Sequence, residues 1–365
     1  MTRTQTFGRE KFVSLDLIRG VAAFIVALSH FNYGGLVLSP IAGPLCVGFF
    51  FLLSGYVLAH SYQDKIQSGE FSLRDFTVAR LARLYPLQFV TFVLVAAYWM
   101  LVEVARLAGL PLRVENGNNL VHVFENLTLT HLLIDGAVSF NSPSWSIGVE
   151  FWGSLFIFAL CMPISRWIKG VMLAVVAVAF LVVEMHGGFL HAATARVLGF
   201  LEKNYTFGFA CFAIGWAIYG RSLPRMPIVG GGITSLVFIL LLLPPAWLIE
   251  FPQTELVFIA LFTLSIMLLA PAQPRSQFAA KVMETAGEMS YGIYLWHVPI
   301  MLGITTCARA IEIYTGASVL KSPVLVFIYV ALLLPTAWLS FRYLEMPGKR
   351  LVKRLLTPSR TAPTR

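Results

Sequence analysis

Long apolar stretches separated by short polar segments follow one another along almost the whole chain. Windows of about 20 apolar residues, the length that a helix needs to cross a bilayer, recur ten times. The predicted spans cover residues 12–33, 41–62, 84–109, 144–162, 167–187, 205–220, 227–247, 254–271, 288–310 and 322–344. The pattern therefore predicts an all-α polytopic membrane protein with about ten transmembrane helices.

The composition agrees with this prediction and excludes a soluble domain. Hydrophobic residues make up 58% of the 365 residues and charged residues only 12%, which leaves too few polar side chains to cover a water-soluble surface. The net charge of +9 does not indicate a nucleic-acid partner, because most Lys and Arg residues lie in the segments that an inside N-terminus would place in the cytoplasm. That bias predicts an N-in, C-in orientation.

The same pattern divides the chain into three parts. Residues 1–11 are predicted to be a cytoplasmic N-terminal tail, 12–347 a membrane domain and 348–365 a basic cytoplasmic tail. The basic tail is expected to rest on anionic lipid of the inner leaflet. The two long outer connections, 110–143 and 186–204, are where an acceptor site is expected, since long ordered loops are often binding loops.

The first span carries side chains that are costly to place in a bilayer. Asp16, Arg19 and His30 all lie within it, and such residues usually face a bundle interior or a hydrated cavity and mark functional sites. Arg19 and His30 are eleven positions apart, which on a helix returns to within about 20° of the same face, about 16 Å further along the axis. The spacing predicts one helix face with a fixed cation near one membrane surface and a titratable base three turns deeper, suited to a long anionic reactant.

Two further segments contribute polar pairs at helical spacing. Arg80 and Arg83 precede the third predicted span and offer bidentate donors to phosphate, although a positive-inside anchor explains this segment equally well. Ser146 and Glu150 are neighbours on one helix face. We expect Glu150 to orient the His30 imidazole, with a structural polar contact as the alternative.

The ninth span places another histidine at mid-membrane. His297 lies within the sequence MSYGIYLWHVPI. We expect it to support the site or to contact substrate together with Ser146 and Asp16, and simple packing is the alternative. The cysteines lie singly and without metal-ligand spacing, so no metal is expected.

Six of these stretches are similar to the motifs of one known family. LDLIRG followed by His30, VGFFFLLSGYVL, RLARLYP, SWSIGVEFWG, MSYGIYLWHVPI and RYLEMP resemble, in order and spacing over about residues 12–347, the acyltransferase family 3 membrane proteins. The resemblance implies a ten-span fold and transfer of an acyl group, usually acetyl from acetyl-CoA. The implied acceptor is a hydroxyl of a cell-envelope or exported polysaccharide, of a lipid-linked glycan, or of a small natural product, and the implied location is the bacterial inner membrane.

The resemblance also assigns residues by position. These are the Arg and His pair Arg19 and His30, the twin arginines Arg80 and Arg83, and the SxxxE element Ser146 and Glu150. The chain departs from the two-domain members because no C-terminal extracytoplasmic hydrolase-like domain follows the last span. Direct transfer to the final acceptor and transfer through a separate extracytoplasmic partner protein therefore both stay open.

Together these residues predict a reaction. Acyl-CoA enters from the cytoplasm, its phosphates meet Arg80, Arg83 and Arg19, and its thioester lies near His30. Neutral His30 is the general base for the acceptor hydroxyl, with Glu150 steadying the imidazolium, and an acyl-histidine relay is the alternative chemistry. A solute transporter with helices broken at prolines is the rival from another class, and no inverted repeat is visible to support it.

Overall fold

The computed structural model describes residues 12–109, 118–134, 136–191, 196–221, 223, 226–251, 253–274 and 276–357. Helices account for nearly all regular structure in these ranges. They are α1 (Val13–His30), α2 (Ala42–Gln67), α3 (Leu73–Leu107), α4 (Leu120–Thr128), α5 (Trp145–Cys161), α6 (Arg166–Met185), α7 (Gly188–His191), α8 (Lys203–Ile218), α9 (Pro227–Leu242), α10 (Ala246–Glu250), α11 (Thr254–Leu269), α12 (Gln277–Thr315), α13 (Val324–Ser340) and α14 (Met346–Leu356). A two-stranded antiparallel hairpin, β1 (Arg196–Val197) with β2 (Leu201–Glu202), precedes α8.

Six helical stretches in the described part of the chain are long and apolar enough to cross a membrane. They are α1, α2, α3, α5 with the turn before it, α6, and α13 continuing into α14, while α9 and α11 are shorter apolar helices. Each of the ten predicted spans overlaps a helix, so the predicted all-α polytopic fold is confirmed. The number of crossings, the orientation and the domain boundaries stay predictions, and residues 1–11 and 358–365 of the two predicted tails lie outside the described residues.

The third helix is longer than its apolar window predicted. It begins at Leu73 and not at residue 84, because Ser72 caps it. The Ser72 hydroxyl accepts from the Asp75 amide at 3.2 Å, and the Asp75 carboxylate accepts from the Ser72 amide at 3.3 Å, which is a capping box. The helix then continues through Pro86. Arg80 and Arg83, which were predicted to precede the third span, therefore lie inside α3.

Close contacts between helices bring α1, α2 and their neighbours together. A Cβ on Gly20 of α1 would lie 2.8 Å from the carbonyl oxygen of Ala286 in α12, and one on Gly55 of α2 would overlap the carbonyl oxygen of Phe212 in α8. Inside a membrane, where helices gain little from the hydrophobic effect, such small residues allow the backbone approach that holds them together. Both contacts therefore depend on residues without a side chain.

The end of α1 is fixed against α13. The ring of Phe31, one residue beyond α1, stacks on Tyr329 with centroids 4.2 Å apart, and the Tyr329 hydroxyl donates to the Ala27 carbonyl oxygen at 3.1 Å. Phe31 and Tyr329 are fully buried. These contacts determine where the last residue of α1, His30, lies in the bundle.

The outer connection that was predicted at 110–143 folds around α4, and residues 110–117 and 135 lie outside the described residues. Its polar side chains are buried among themselves. Asn126 donates to Ser139 at 2.9 Å and its amide oxygen is 3.1 Å from His131 Nε2. Burial lowers the pKa of His131 to about 3, so this imidazole is neutral and serves the packing of the segment.

Candidate active site

A cavity of about 240 Å³ lies between α1, α2, α3, α5, α12 and α14. Its charged lining residues are Arg19, Arg80, Arg83, Glu150, Lys349 and Lys353. Five basic groups thus face one acidic group. A cavity in a low-dielectric surrounding with this imbalance attracts a polyanion, because the field of like charges is focused between apolar walls.

Arg19 is held rigidly on the wall of the cavity. Its Nε donates to Ser290 Oγ at 3.0 Å and its Nη2 donates to the Gly287 carbonyl oxygen at 2.8 Å. Asp16, one turn earlier on α1, forms an ion pair with it at 3.0 Å. Asp16, which the sequence suggested as a supporting residue, therefore contacts Arg19 directly. The other hydrogen-bond acceptors of the Arg19 guanidinium belong to α12.

The two arginines of α3 have different surroundings. Arg80 is 5% exposed, its Nη2 donates to Glu150 Oε1 at 2.6 Å, and its buried Nε has no hydrogen-bond partner among the described residues. Arg83 is exposed and lines the cavity, and it forms no ion pair with a described residue. The predicted phosphate clamp thus consists of one buried, paired guanidinium and one that is available to a ligand.

The pairing of Glu150 with Arg80 corrects the expectation that this carboxylate orients His30. The ion pair joins α3 to α5, whose paired residues are 70 positions apart in the sequence. A buried charged guanidinium is destabilising without a carboxylate partner, whereas a neutral imidazole does not need one. His30 is oriented instead by its own helix, since its Nδ1 lies 2.9 Å from the Val26 carbonyl oxygen.

His30 and His297 form a pair of facing imidazoles. Their ring centroids are 4.9 Å apart, at an interplanar angle of 47°. His297 Nδ1 lies 2.6 Å from the Tyr294 carbonyl oxygen, so each ring has its Nδ1 beside a carbonyl that can only accept. The hydrogen-bond pattern assigns the proton to Nδ1 in both rings and leaves each Nε2 as an acceptor. The predicted base His30 is exposed, whereas His297 is fully buried.

One aromatic residue, Tyr294, connects the cavity with the imidazole pair, which is not part of the cavity lining. The Tyr294 ring lines the cavity and also contacts the His297 ring, with centroids 5.9 Å apart. Phe50 packs edge-on against Tyr294 at 5.9 Å, and Tyr294 Oη lies 2.7 Å from Ser146 Oγ. Ser146 thus holds the tyrosine and does not contact either histidine.

Sequence reasoning missed three residues that the structure brings to this region. Tyr294 could have been found from its position one helical turn before His297. Lys349 and Lys353 were assigned to a lipid-bound tail, although their spacing of four residues places both on one face of a helix.

Among the described residues, no group of three or more His, Cys, Asp or Glu side chains is placed to hold a metal ion.

The comparisons with known proteins agree with the motifs. The family model for the acyltransferase domain of acyltransferase family 3 matches residues 12–342. The peptidoglycan O-acetyltransferase OatA of Listeria monocytogenes is 27% identical over 386 residues, which cover 96% of this chain and 58% of that protein. Protein 2 in the picA locus of Rhizobium radiobacter is 36% identical over 151 residues, 38% of this chain and 76% of that protein.

A shorter match links the chain to a third relative. The acyltransferase MdmB of Streptomyces mycarofaciens is 34% identical over 116 residues, 30% of this chain and 26% of that protein. This chain therefore spans a little over half of OatA and about a quarter of MdmB. No solved structure matches this chain. The family model covers nearly all of the chain, so the predictions of the family and of an acyltransferase enzyme are confirmed, and the protein belongs to acyltransferase family 3.

Proposed function

We propose that this protein is an integral inner-membrane O-acyltransferase. It moves an acyl group, in the simplest case acetyl, from cytoplasmic acyl-CoA to a hydroxyl of a cell-envelope or exported polysaccharide or lipid-linked glycan. The observation that carries the proposal is a strongly basic cavity whose fixed cation, Arg19, shares one helix with the exposed imidazole of His30. Eleven residues of α helix separate them by about 16 Å.

The charge of the cavity supports acyl-CoA as the donor. CoA carries a diphosphate and a 3′-phosphate, and phosphate monoesters are nearly doubly ionised at pH 7. Arg83 forms no ion pair with a described residue, and Arg19 and Arg80 extend the basic surface into the bundle. Guanidinium groups match phosphate oxygens in geometry. In this arrangement the phosphates stay among the basic residues while the pantetheine arm extends along α1.

The imidazole geometry supports general-base catalysis. His30 Nε2 removes the proton from the acceptor hydroxyl, the oxygen attacks the thioester carbonyl, and the carbon–sulfur bond breaks as the tetrahedral intermediate collapses. The imidazolium then returns its proton to the departing CoA thiolate. The products are an ester and CoA with a free thiol. Val26 holds the Nδ1 proton of His30 throughout, which is the role that an orienting partner has in a catalytic triad.

The nature of the acceptor rests on a relative. OatA is named a peptidoglycan O-acetyltransferase, and its match over nearly all of this chain supports a carbohydrate hydroxyl as acceptor. The exposure of His30 at the end of α1 supports an approach from the side opposite the amino end of that helix. Transfer to a separate extracytoplasmic partner protein is compatible with the same chemistry.

The test uses purified full-length protein in nanodiscs with radiolabelled acetyl-CoA and glycan fragments. We expect label in an alkali-labile ester and one equivalent of free CoA thiol per ester. A covalent label that stays on the protein through gel filtration and is absent from His30→Ala would establish the acyl-histidine relay. Glycans from a deletion strain should lack the corresponding ester mass. Movement of a solute without any acyl-CoA turnover would overturn the proposed function.

A further inference from the structure

The last helix of the described chain contributes two lysines to the basic cavity described above. Lys349 and Lys353 are four residues apart on α14, and both line the cavity. Arg350 and Arg354, the adjacent residues of the same helix, are exposed and do not line it. One face of α14 is therefore turned toward the cavity and another toward the surroundings.

The position of α14 is set by contacts at both of its ends. Near its start, Gly348 lies so close to Pro86 of α3 that a Cβ would be 2.6 Å from the proline Cβ. At its end, Arg74 Nη2 donates to the Leu356 carbonyl oxygen at 3.3 Å. A π turn, Phe341–Glu345, connects α14 to α13 without a loop. The lysines are thus presented by an anchored helix and not by a loose tail.

The exposed end of the cavity carries more basic groups than acidic ones, although the Glu345 carboxylate lies near Arg83. Arg83, Lys349 and Lys353 form no ion pair with a described residue, and the lining carboxylate Glu150 is engaged by Arg80. Cations gathered in this way repel one another and destabilise the folded state. An arrangement of this kind is retained where an anionic ligand compensates the repulsion.

The covalent structure of CoA indicates which anion lies at this end. The diphosphate is joined to the pantetheine arm, whereas the 3′-phosphate is on the ribose beyond it. With the thioester directed along α1, the diphosphate lies at the deeper arginines and the ribose lies nearer the exposed end. On the basis of the donor proposed above, we propose that Lys349 and Lys353 bind the 3′-phosphate of acyl-CoA. Lysine ammonium groups bind phosphate as point charges, which suits a group at a wide and hydrated opening.

The experiment measures binding without turnover. Full-length protein in phosphatidylcholine nanodiscs is titrated calorimetrically with CoA and with 3′-dephospho-CoA. We expect the wild type to prefer CoA by about tenfold or more, the effect of a pair of charged hydrogen bonds. The double variant Lys349→Gln with Lys353→Gln should lose most of this preference while its affinity for dephospho-CoA stays within about twofold.

The matched control removes the same charge from the same helix. The double variant Arg350→Gln with Arg354→Gln should keep the wild-type preference, because those side chains do not line the cavity. An equal loss in both double variants would reveal a general electrostatic effect and overturn the inference. An unchanged preference in the lysine variant would overturn it as well, while the proposed function would stand.

Two further outcomes are informative. If the lysine variant changes only the retention of phosphatidylglycerol in mixed nanodiscs and leaves the CoA preference intact, the lysines bind a lipid phosphate and the inference is overturned. If the wild type binds neither CoA nor dephospho-CoA, the proposed donor fails and this inference fails with it.

Discussion

At His30 and His297 the backbone decides which ring nitrogen carries the proton. Each Nδ1 faces a carbonyl oxygen of its own helix, at 2.9 Å and 2.6 Å, so the free lone pair lies on Nε2. The two ring centroids lie 4.9 Å apart, so the two acceptor nitrogens belong to neighbouring rings on α1 and α12.

Replacing His30 by alanine should abolish catalysis without unfolding the protein. General-base catalysis contributes about 100-fold to 10,000-fold, so we expect kcat to fall by at least about 100-fold. The control is His186→Ala, since His186 directly follows the last residue of α6 and has its Nδ1 2.8 Å from the Val182 carbonyl oxygen. Unlike His30, it has no ring contact with a second imidazole among the described residues. Release of CoA thiol measures the rate. Near wild-type turnover by folded His30→Ala would refute the assignment.

Removing one partner of the buried Arg80 and Glu150 pair should destabilise the protein. Glu150→Gln leaves a guanidinium that is 5% exposed without its counter-charge, which typically costs about 3 kcal/mol or more. Unfolding in detergent, followed by intrinsic fluorescence, measures the change. The control is Glu103→Gln, which breaks the exposed pair with Arg106 and should change stability little. Equal effects of the two substitutions would mean that the buried pair has no special role.

The sequence indicated which polar residues lie in the interior of the bundle but not which side chains they contact. Arg19, Arg80 and Glu150 do line one cavity, because their cost in a bilayer already indicates an interior position. The partner of Glu150 could not be read from the sequence. It depends on how α3 and α5 pack, and both a histidine and an arginine are chemically suitable.

At the scale of the element, hydropathy detects the part of a helix that lies in lipid and misses polar extensions. The third helix begins eleven residues before its apolar window, at a Ser72 cap that the spacing to Asp75 could have revealed. The last predicted span runs on through a π turn into α14. A π turn removes the usual helical register, so sequence periodicity alone could not have indicated which face of α14 meets the cavity.

The contact between α2 and α8 should not tolerate a side chain at Gly55. Leucine there would meet the Phe212 carbonyl oxygen, and overpacking of this kind costs about 1–3 kcal/mol or more. The matched control is Gly170→Leu in α6, where nothing lies within 4 Å of an added Cβ. Thermal unfolding in detergent should show a lower midpoint for Gly55→Leu only. A similar loss in both variants would indicate a general effect of the substitution.

The start of α8 should make stability depend on pH. Glu202 caps this helix by accepting from the Tyr205 amide at 2.7 Å, and burial raises the pKa of its carboxyl to about 7. The unfolded pKa is about 4.3, so the folded state binds the proton more tightly. The resulting stabilisation is complete below about pH 4.3 and is lost as the pH rises through about 7.

The loss of stability on deprotonation of Glu202 can be measured by comparison with a variant that cannot titrate. Between pH 5 and pH 8, wild-type protein should lose on the order of 2 kcal/mol more stability than Glu202→Gln, which has no proton to release. Denaturant unfolding at several pH values compares the two proteins. Parallel pH profiles would show that the carboxyl of Glu202 does not titrate in this range.

At the scale of the whole molecule, the basic cavity and the imidazole pair are neighbours joined by Tyr294. The basic lining residues come from α1, α3 and α14, and Phe50 and Tyr294 form an aromatic part of the lining beside His297. The sequence predicted the shared helix that carries Arg19 and His30. It could not predict the aromatic part of the lining, since phenylalanine and tyrosine occur throughout the spans and only the tertiary packing brings Phe50 and Tyr294 to the cavity.

Under the proposed function we expect Phe50 to limit the length of the acyl group. Phe50 and Tyr294 line the cavity and the Tyr294 ring contacts His297, and an apolar pocket discriminates against an added methylene by about tenfold or more. Phe50→Ala should therefore raise kcat/KM for butyryl-CoA relative to acetyl-CoA by about tenfold. The control is Phe49→Ala, which removes a ring that packs on Phe262 at 4.9 Å and does not line the cavity. That variant should lose stability but keep the wild-type ratio, and a changed ratio in both variants would exclude a specific role for Phe50.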